Sequence, residues 1–402
     1  MFVVLLDLHP QADPSQERIL VLLRALAQTD FFIPLLICRK NSLLADSAAA
    51  EGLPLLALGS GWPFHPVSLL RIWLHLRKHR RIILQSFGGQ AAALAYLLAA
   101  RRKPEQTIIM HTHFFTPRMR HPLLQKSYAA ADCIVCGSSA IASLVQQESG
   151  NPPEKFRNIP PGTGYHGYSE RGEQRNGRIA ICMPGALTEK SGQASLIHAM
   201  AALWQVEDLP PWEVRLVGSG SMFHFLLDEA QKLGVLDRLA ILGEQELCEV
   251  LPHCKMLVLP PGELVYAPGL ASGWAAGLPV ICPALPAALE LVRNKENVLL
   301  VAPNNPQALA SAILRIIRDP NLAKTLVQGG KNALASVSEE RMCADHFVLY
   351  RELIAGNGWV APLPAPTEKD YANQKFVDNI QQKQLSRSGS LQSSLKSISG
   401  HP

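Results

Sequence analysis

The chain has 402 residues, of which 48% are hydrophobic and 18% charged, with eight cysteines and a formal net charge of +5. Roughly 150 residues per domain gives two or three domains, each with room for a full core. Such a composition excludes a wholly disordered chain, a collagen-like repeat and a small disulfide scaffold.

Phe2 to Leu6 opens the chain as an apolar strand, with no basic segment or small-residue cleavage pattern beside it, so a secretory signal is not expected. Gln16 to Leu26 has helical spacing, and strands follow at Phe32 to Cys38 and Pro54 to Ala57. A basic helix is expected over Val67 to His79. Strands at Ile82 to Gln85, Thr107 to His111, Asp132 to Cys136 and Phe156 to Ile159 then alternate with helices at Gln90 to Ala100, His121 to Ala130 and Ser138 to Gln147. The polar stretch Glu170 to Asn176 reads as a linker.

After it the alternation restarts. Strands are expected at Ile179 to Met183, Val214 to Val217, Ala240 to Leu242, Met256 to Leu259, Pro279 to Cys282 and Val298 to Val301. Helices are expected at Gln193 to Trp204, Met222 to Leu233, Glu244 to Leu251, Pro286 to Val292, Gln307 to Arg318, Ala323 to Leu334 and Glu339 to Leu353. This α/β pattern predicts two Rossmann-like, doubly wound parallel-sheet domains, residues 1–170 and 177–355, facing each other across a cleft. Residues 361–402, Pro-rich and then Gln- and Ser-rich, read as a flexible polar tail.

The net charge hides an uneven distribution. Residues 71–126 hold 11 Lys/Arg against one acid, Glu105, a local +10. Solvated helix ends account for this, or attraction of the first half to an anionic membrane surface. Nucleic acid is not expected as a partner, because aromatic content is 6% and no reading motif is present. Cys133 and Cys136 have metal-ligand spacing but lie inside an apolar strand with no second pair nearby, so a structural role is expected. The free-thiol pattern places the chain in the cytoplasm. No uncharged apolar window reaches the ~18 residues needed to span a bilayer.

Two glycine turns follow expected strands in the second half. Gly218-Ser219-Gly220 opens a helix, and amides at a helix start can hold a phosphate. Gly185-Ala186-Leu187 precedes Lys190, which can reach a pyrophosphate. Glu263, after another strand, can accept hydrogen bonds from sugar hydroxyls, or serve as a solvent-facing cap. His111 and His113 bracket a strand end, where hydrogen bonding or local charge stabilisation is expected rather than metal binding. Gln11 and Asp13 lie in the first strand–helix loop, and Arg118 and Arg120 follow the histidines.

The second half resembles the retaining glycosyltransferases of family 4, or group 1. The matching stretches run in order: Gly185-x-Leu187 with Gly192, Leu216-Val217-Gly218-x-Gly220, Leu233 to Gly243, Leu257 to Pro260, Ala275 to Val280, Leu289 to Pro303, and Gln307 to Leu314. Tyr128 to Ser138 and Ile159 to Gly162 extend the resemblance into the first half, with Pro161 where Asn is usual. The sequence departs from the family pattern at charged positions. Ala186 stands for an arginine, Ser191 for a lysine, Ser272 for a second glutamate, and Gln11 to Pro14 for a glycine-rich loop.

The resemblance implies a GT-B fold and a hexosyltransferase-like, metal-independent and cofactor-free transfer that retains anomeric configuration. The donor is a nucleotide sugar, and the acceptor a glycan or lipid-linked molecule of surface polysaccharide or glycolipid synthesis. By the same resemblance His113 and Glu263 carry the chemistry. Gly185, Lys190, Gly218, Gly220 and Glu263 hold the donor, and Asp13, His111, Arg118 and Arg120 face the acceptor. The location implied is cytoplasmic, peripheral at the inner face of the cell membrane. The departures leave a second reading open, a catalytically silent member that binds a glycan, lipid or protein.

Overall fold

Strands such as Phe2–Asp7 (β1) are buried along their whole length, as expected of parallel sheets covered on both faces. Their side chains alternate between two cores. Val3 and Leu5 enter one, Phe2, Val4 and Leu6 the other. The computed structural model describes residues 1–9, 15–59, 65–113, 121–164, 168, 177–261, 266–285 and 291–359. The linker at 170–176, the tail at 361–402 and most of the helix expected at Pro286 to Val292 lie outside them.

The first unit comprises Met1–Gly137, Ile141–Ile159 and the chain from Glu339 onward. In order it contains β1, α1 (Ser15–Ala27), β2 (Ile33–Arg39), α2 (Leu43–Ala50), β3 (Leu55–Leu58), α3 (Pro66–Leu76) and β4 (Ile82–Phe87). It continues with α4 (Gly89–Ala99), β5 (Thr107–His113), α5 (Pro122–Ala129), β6 (Cys133–Cys136), α6 (Ser139–Ser149) and β7 (Phe156–Asn158). The strands pair in parallel in the order β3-β2-β1-β4-β5-β6-β7. Cys133 and Cys136 fall on opposite faces of this sheet, one in each core, so their side chains point apart.

The second unit, Pro160–Ser338 with Ser138–Ala140, repeats the plan. It contains β8 (Ile179–Pro184), α7 (Gln193–Trp204), β9 (Trp212–Val217), α8 (Phe223–Lys232), β10 (Leu239–Ile241), α9 (Leu247–Val250) and β11 (Met256–Val258). Then come α10 (Tyr266–Ala275), β12 (Val280–Pro283), β13 (Leu299–Val301), α11 (Pro306–Arg318) and α12 (Pro320–Leu334). The order is β10-β9-β8-β11-β12-β13, all parallel. Each sheet thus reverses direction beside its own first strand, at β1/β4 and at β8/β11. Ligands of open α/β sheets bind at such switch points.

Local sequence sets several helix ends. Ser42 accepts the amide of Ala45 to start α2, and Asn305 accepts that of Ala308 before Pro306 starts α11. Asp319 ends α11 and caps α12 through the amides of Asn321 and Leu322. The basic helix ends at Leu76, short of the expected His79. Arg102 gathers the carbonyls of Leu76 and His79 at 3.1 and 2.7 Å, which satisfies groups a longer helix would bond itself.

The helix Glu339–Gly356 (α13), expected to close the second domain, belongs to the first unit. Met342, Cys343, Leu349, Tyr350 and Ile354 join the core formed by β1, α1 and α2. The Tyr350 hydroxyl donates to buried Gln85 of β4, whose amide donates to Thr112 of β5 at 2.8 Å. Trp359 donates to the Glu105 carbonyl at 2.8 Å. Helical periodicity over 339–353 was legible, but nothing in it says which sheet its apolar face covers.

Candidate functional site

At the carboxyl ends of β8, β9 and β10 the loops meet mainly through backbone, with the Ser219 hydroxyl also donating to the Glu244 carboxylate. Gly185 donates to Val217, Leu187 to Ser219, Met222 to Leu187, and Gly218 to Gly243, at 2.7 to 3.1 Å. Gly218 has φ +145, and a Cβ there would lie 2.2 Å from the Gly185 carbonyl oxygen. A Cβ on Gly220 would lie 2.3 Å from the Leu187 oxygen. Both positions therefore demand glycine. The loop then presents Ala186, Ser219 and Gly220 at the surface.

The same β8 loop continues through a tight turn, Glu189–Ser191, on which Lys190 is exposed. Gly192, at φ +73, starts α7, and a Cβ there would lie 2.5 Å from the Pro261 ring. The turn thus packs on the segment after β11, across the switch point. A cavity opens at this end of the sheet, lined by Met183, Gly192, Ser195, Pro261, Ile281 and Asn304 among others. Ser191 and Thr188 share a hydrogen bond at 2.6 Å, and buried Gln193 donates to the Ala186 carbonyl at 3.0 Å. Gly185, Lys190, Gly218 and Gly220 therefore belong to one connected group of loops. Ser272 is buried on α10. Glu263 lies outside the described residues.

In the first unit the corresponding strand ends are held by side chains. Buried Asp7, the last residue of β1, accepts from His9 Nδ1 at 2.5 Å and from Gln16 Nε2 at 3.1 Å. The His9 side chain is 37% exposed. Its ring lies over Gly88, at φ +83, where a Cβ would come within 2.6 Å of the imidazole. Arg39 holds the Leu8 carbonyl at 2.9 Å and the Gln90 side chain at 3.0 Å. This cluster occupies the β1/β4 switch point. None of it was among the residues expected from sequence. The available signal was an aspartate at a strand end, a histidine two residues on, and the Gly88-Gly89 pair after β4.

His111 and His113 are two residues apart on β5, so both rings point to one face, toward α5. His111 is fully buried. Its Nδ1 pairs with the Ser86 hydroxyl at 2.7 Å, and its Nε2 with the Ser127 hydroxyl at 2.9 Å. Expected to face an acceptor, it is instead a packed link between β4, β5 and α5. Burial pushes its pKa down to about 4. His113 is 4% exposed, bonds the Tyr128 hydroxyl through Nε2, and stacks on the Tyr128 ring. Burial, and then the nearby His111 and His9, push its pKa down to about 3. A neutral His113 can act as a dipole or hydrogen-bonding group. Asp13, Arg118 and Arg120 lie outside the described residues, as does Gln11. Among the described residues no cluster of three His, Cys, Asp or Glu is placed to hold a metal.

Comparison with known proteins follows this division. Residues 168–333 match the model of glycosyl transferases group 1, and residues 16–163 that of Glycosyltransferase Family 4. The chain has the GT-B fold and resembles the group 1 and family 4 glycosyltransferases. A crystal structure of a glycosyltransferase from Rickettsia africae superimposes with a TM-score of 0.74 at 14% identity, over 88% of this chain and 98% of that one. Anabaena HepE in complex with UDP gives 0.70 at 16% identity, over 88% and 100%.

Among curated proteins, an exopolysaccharide phosphotransferase of Streptomyces coelicolor is 25% identical over 58% of this chain and 24% of its own length. The lipopolysaccharide core biosynthesis glycosyltransferase LpsE of Rhizobium meliloti is 24% identical over 57% of this chain and 66% of its own. The chain spans 24%, 39% and 47% of the first three curated relatives.

Proposed function

We propose that the chain is a glycosyltransferase that moves a sugar from a nucleotide-sugar donor to a glycan or lipid-linked acceptor of surface polysaccharide or glycolipid synthesis. The observation that carries this reading is the glycine-built meeting of the β8 and β9 loops at the second unit's switch point. It occurs in a fold shared with HepE, a protein crystallised with UDP and with UDP-glucose.

Sugar transfer builds negative charge on the departing diphosphate, and preorganised amides and cations stabilise it. The exposed backbone at Ala186, Ser219 and Gly220 supplies amides, and Lys190 supplies a cation on the β8 loop. Glu263 is assigned to the sugar hydroxyls. On the acceptor side, His9 with Asp7 behind it is assigned to a substrate hydroxyl, since the buried carboxylate fixes the ring's orientation. His113 takes part as a neutral group, and Asp13, Arg118 and Arg120 complete the acceptor side. The chain acts in the cytoplasm, at the inner face of the membrane.

A second reading, a silent binding member, draws support from Ala186 and from Ser191 tied to Thr188. Both replace cations of the family pattern with groups that hold no charge.

Titration calorimetry with UDP and UDP-glucose separates the two. Saturable binding weakened by Lys190→Ala, with UDP release lost in Glu263→Ala and His9→Ala, is the expected result. Failure to bind either nucleotide at millimolar concentration refutes the donor assignment. Binding without turnover by any acceptor extract selects the silent member.

A further inference from the structure

Helix α3 carries three large apolar side chains on the surface of the first unit. Val67 is 67% exposed, Leu70 52% and Leu74 40%. At about 100° per residue the i, i+3, i+7 spacing puts them on one ridge. The opposite side anchors the helix. Ile72 and Leu76 are buried in the core over β1, β4 and α4, with Leu69 packed beside them. The ridge is therefore not the helix's core face misplaced; α3 has a core face and a second apolar face. No other helix among the described residues exposes more than two large hydrophobics.

Cations stand among these side chains. Arg71 is exposed on the same face, and Arg77 and Lys78 are exposed in the turn that follows. Arg102, bonded to the Leu76 and His79 carbonyls, adds a fourth at the helix end. No acidic residue occurs between Glu51 and Glu105 in the sequence. We infer that α3 docks on an anionic lipid bilayer, its ridge entering the boundary between headgroups and acyl chains and its cations meeting the lipid phosphates. This is the arrangement of an interfacial helix.

Charge argues against the other occupants. A second copy would bring the same cationic face against itself. Residues 361–402 carry five Lys/Arg and three Asp/Glu, so the chain's own end is also net positive. The inference deepens the proposed function, since it names the surface on which a lipid-linked acceptor is met and rests on that reading for its purpose. Its test does not depend on nucleotide binding.

The full chain is pelleted with phosphatidylcholine vesicles made with and without phosphatidylglycerol. It should bind the anionic vesicles and release in high salt. The double variant Leu70→Asp, Leu74→Asp should lose about tenfold or more in vesicle affinity, because it removes the inserted side chains. Arg71→Glu with Lys78→Glu should abolish the preference for anionic lipid. All these residues are exposed, so the melting temperature and the UDP titration should match the wild type. No binding by the wild type, equal binding of the Leu70/Leu74 variant, or equal binding to neutral vesicles each overturns the inference. An α3-dependent dimer in sedimentation with no vesicle binding assigns the ridge to a second copy instead. Loss of UDP binding in the wild type, with vesicle binding intact, would sink the donor assignment and leave the docking surface standing.

Discussion

In the second unit the loops after β8, β9 and β10 lie backbone against backbone, with glycine wherever a carbonyl comes too close for a Cβ. In the first unit the carboxyl ends of β1, β4 and β5 are spaced by side chains: Asp7 with His9, Ser86 with His111 and Ser127, and His113 with Tyr128. The six strands of the second sheet follow the order of the first six of the first sheet, yet one strand edge is set by sterics and the other by buried polar pairs. The first kind of site tolerates polar surface change and fails on a single methyl group. The second tolerates small volume changes and fails on a lost partner or a gained proton.

Gly218→Val should show the steric side at its strongest. The new Cβ would sit 2.2 Å from the Gly185 oxygen, in backbone that β-branched residues avoid. Relief requires β8 and β9 loops to part, breaking the bonds between Gly185 and Val217 and between Gly218 and Gly243. The expected loss is on the order of 3 kcal/mol or more of second-unit stability. Urea unfolding followed by hydrogen exchange of peptides from β8 and β9 would measure it. An unchanged midpoint would mean that the loops are not locked together.

Acid should act on the first unit. His111, His113 and His346 are buried, and burial lowers their pKa values to about 4, 3 and 4. An unfolded histidine titrates near 6.5, so below that pH the unfolded chain binds protons that the folded chain refuses. Stability is then full above about pH 6.5 and falls as pH drops toward 4. Each unit of lowering corresponds to about 1.4 kcal/mol at the acid end. Hydrogen exchange of β5 and α13 peptides at pH 5 and pH 7.5 should report this. His346→Gln should flatten the dependence, and equal protection at both pH values would contradict it.

A smaller loss is expected from Asp7→Asn. The substitution keeps the shape but places an amide where His9 Nδ1 and Gln16 Nε2 both point at carboxylate oxygens. One buried donor loses its acceptor, at a cost of about 1–3 kcal/mol. Thermal unfolding at neutral pH measures it. A melting temperature equal to the wild type's would show that the pair does not position His9.

The same contrast explains what could be read without the fold. Gly218 and Gly220 were legible because a steric requirement leaves its mark at the residue itself: where a carbonyl presses on Cα, glycine must be written, and Gly185 was legible through its positive φ. The strand–helix alternation was legible for the same local reason, through hydrophobic period. Asp7 and His9 were not, because an aspartate ending a strand is equally a cap. The Asp7–Gln16 bond exists only once α1 packs beside β1, and the approach of His9 to Gly88 only once β1 and β4 lie side by side. His113 was legible but its neutral state was not, since that follows from burial against Tyr128, a contact across 15 residues of chain. The placement of α13 failed for a similar reason: Tyr350 and Gln85 are 265 residues apart.

Lys190 should separate binding from stability most cleanly. It is exposed on a turn whose geometry is carried by Gly192 and by the Thr188–Ser191 hydrogen bond, so among the described residues its side chain holds nothing in place. Lys190→Ala should change folding stability by no more than about 0.5 kcal/mol. If the lysine meets a diphosphate, nucleotide affinity should still drop about tenfold, as a lost charge-assisted hydrogen bond implies. Lys190→Arg should recover part of it, because charge matters at a phosphate even where reach differs. Calorimetry on the three proteins, beside their melting temperatures, decides the point. An unchanged affinity in Lys190→Ala would leave the backbone amides as the phosphate contacts, making the second unit's site still more purely a matter of glycine and main chain.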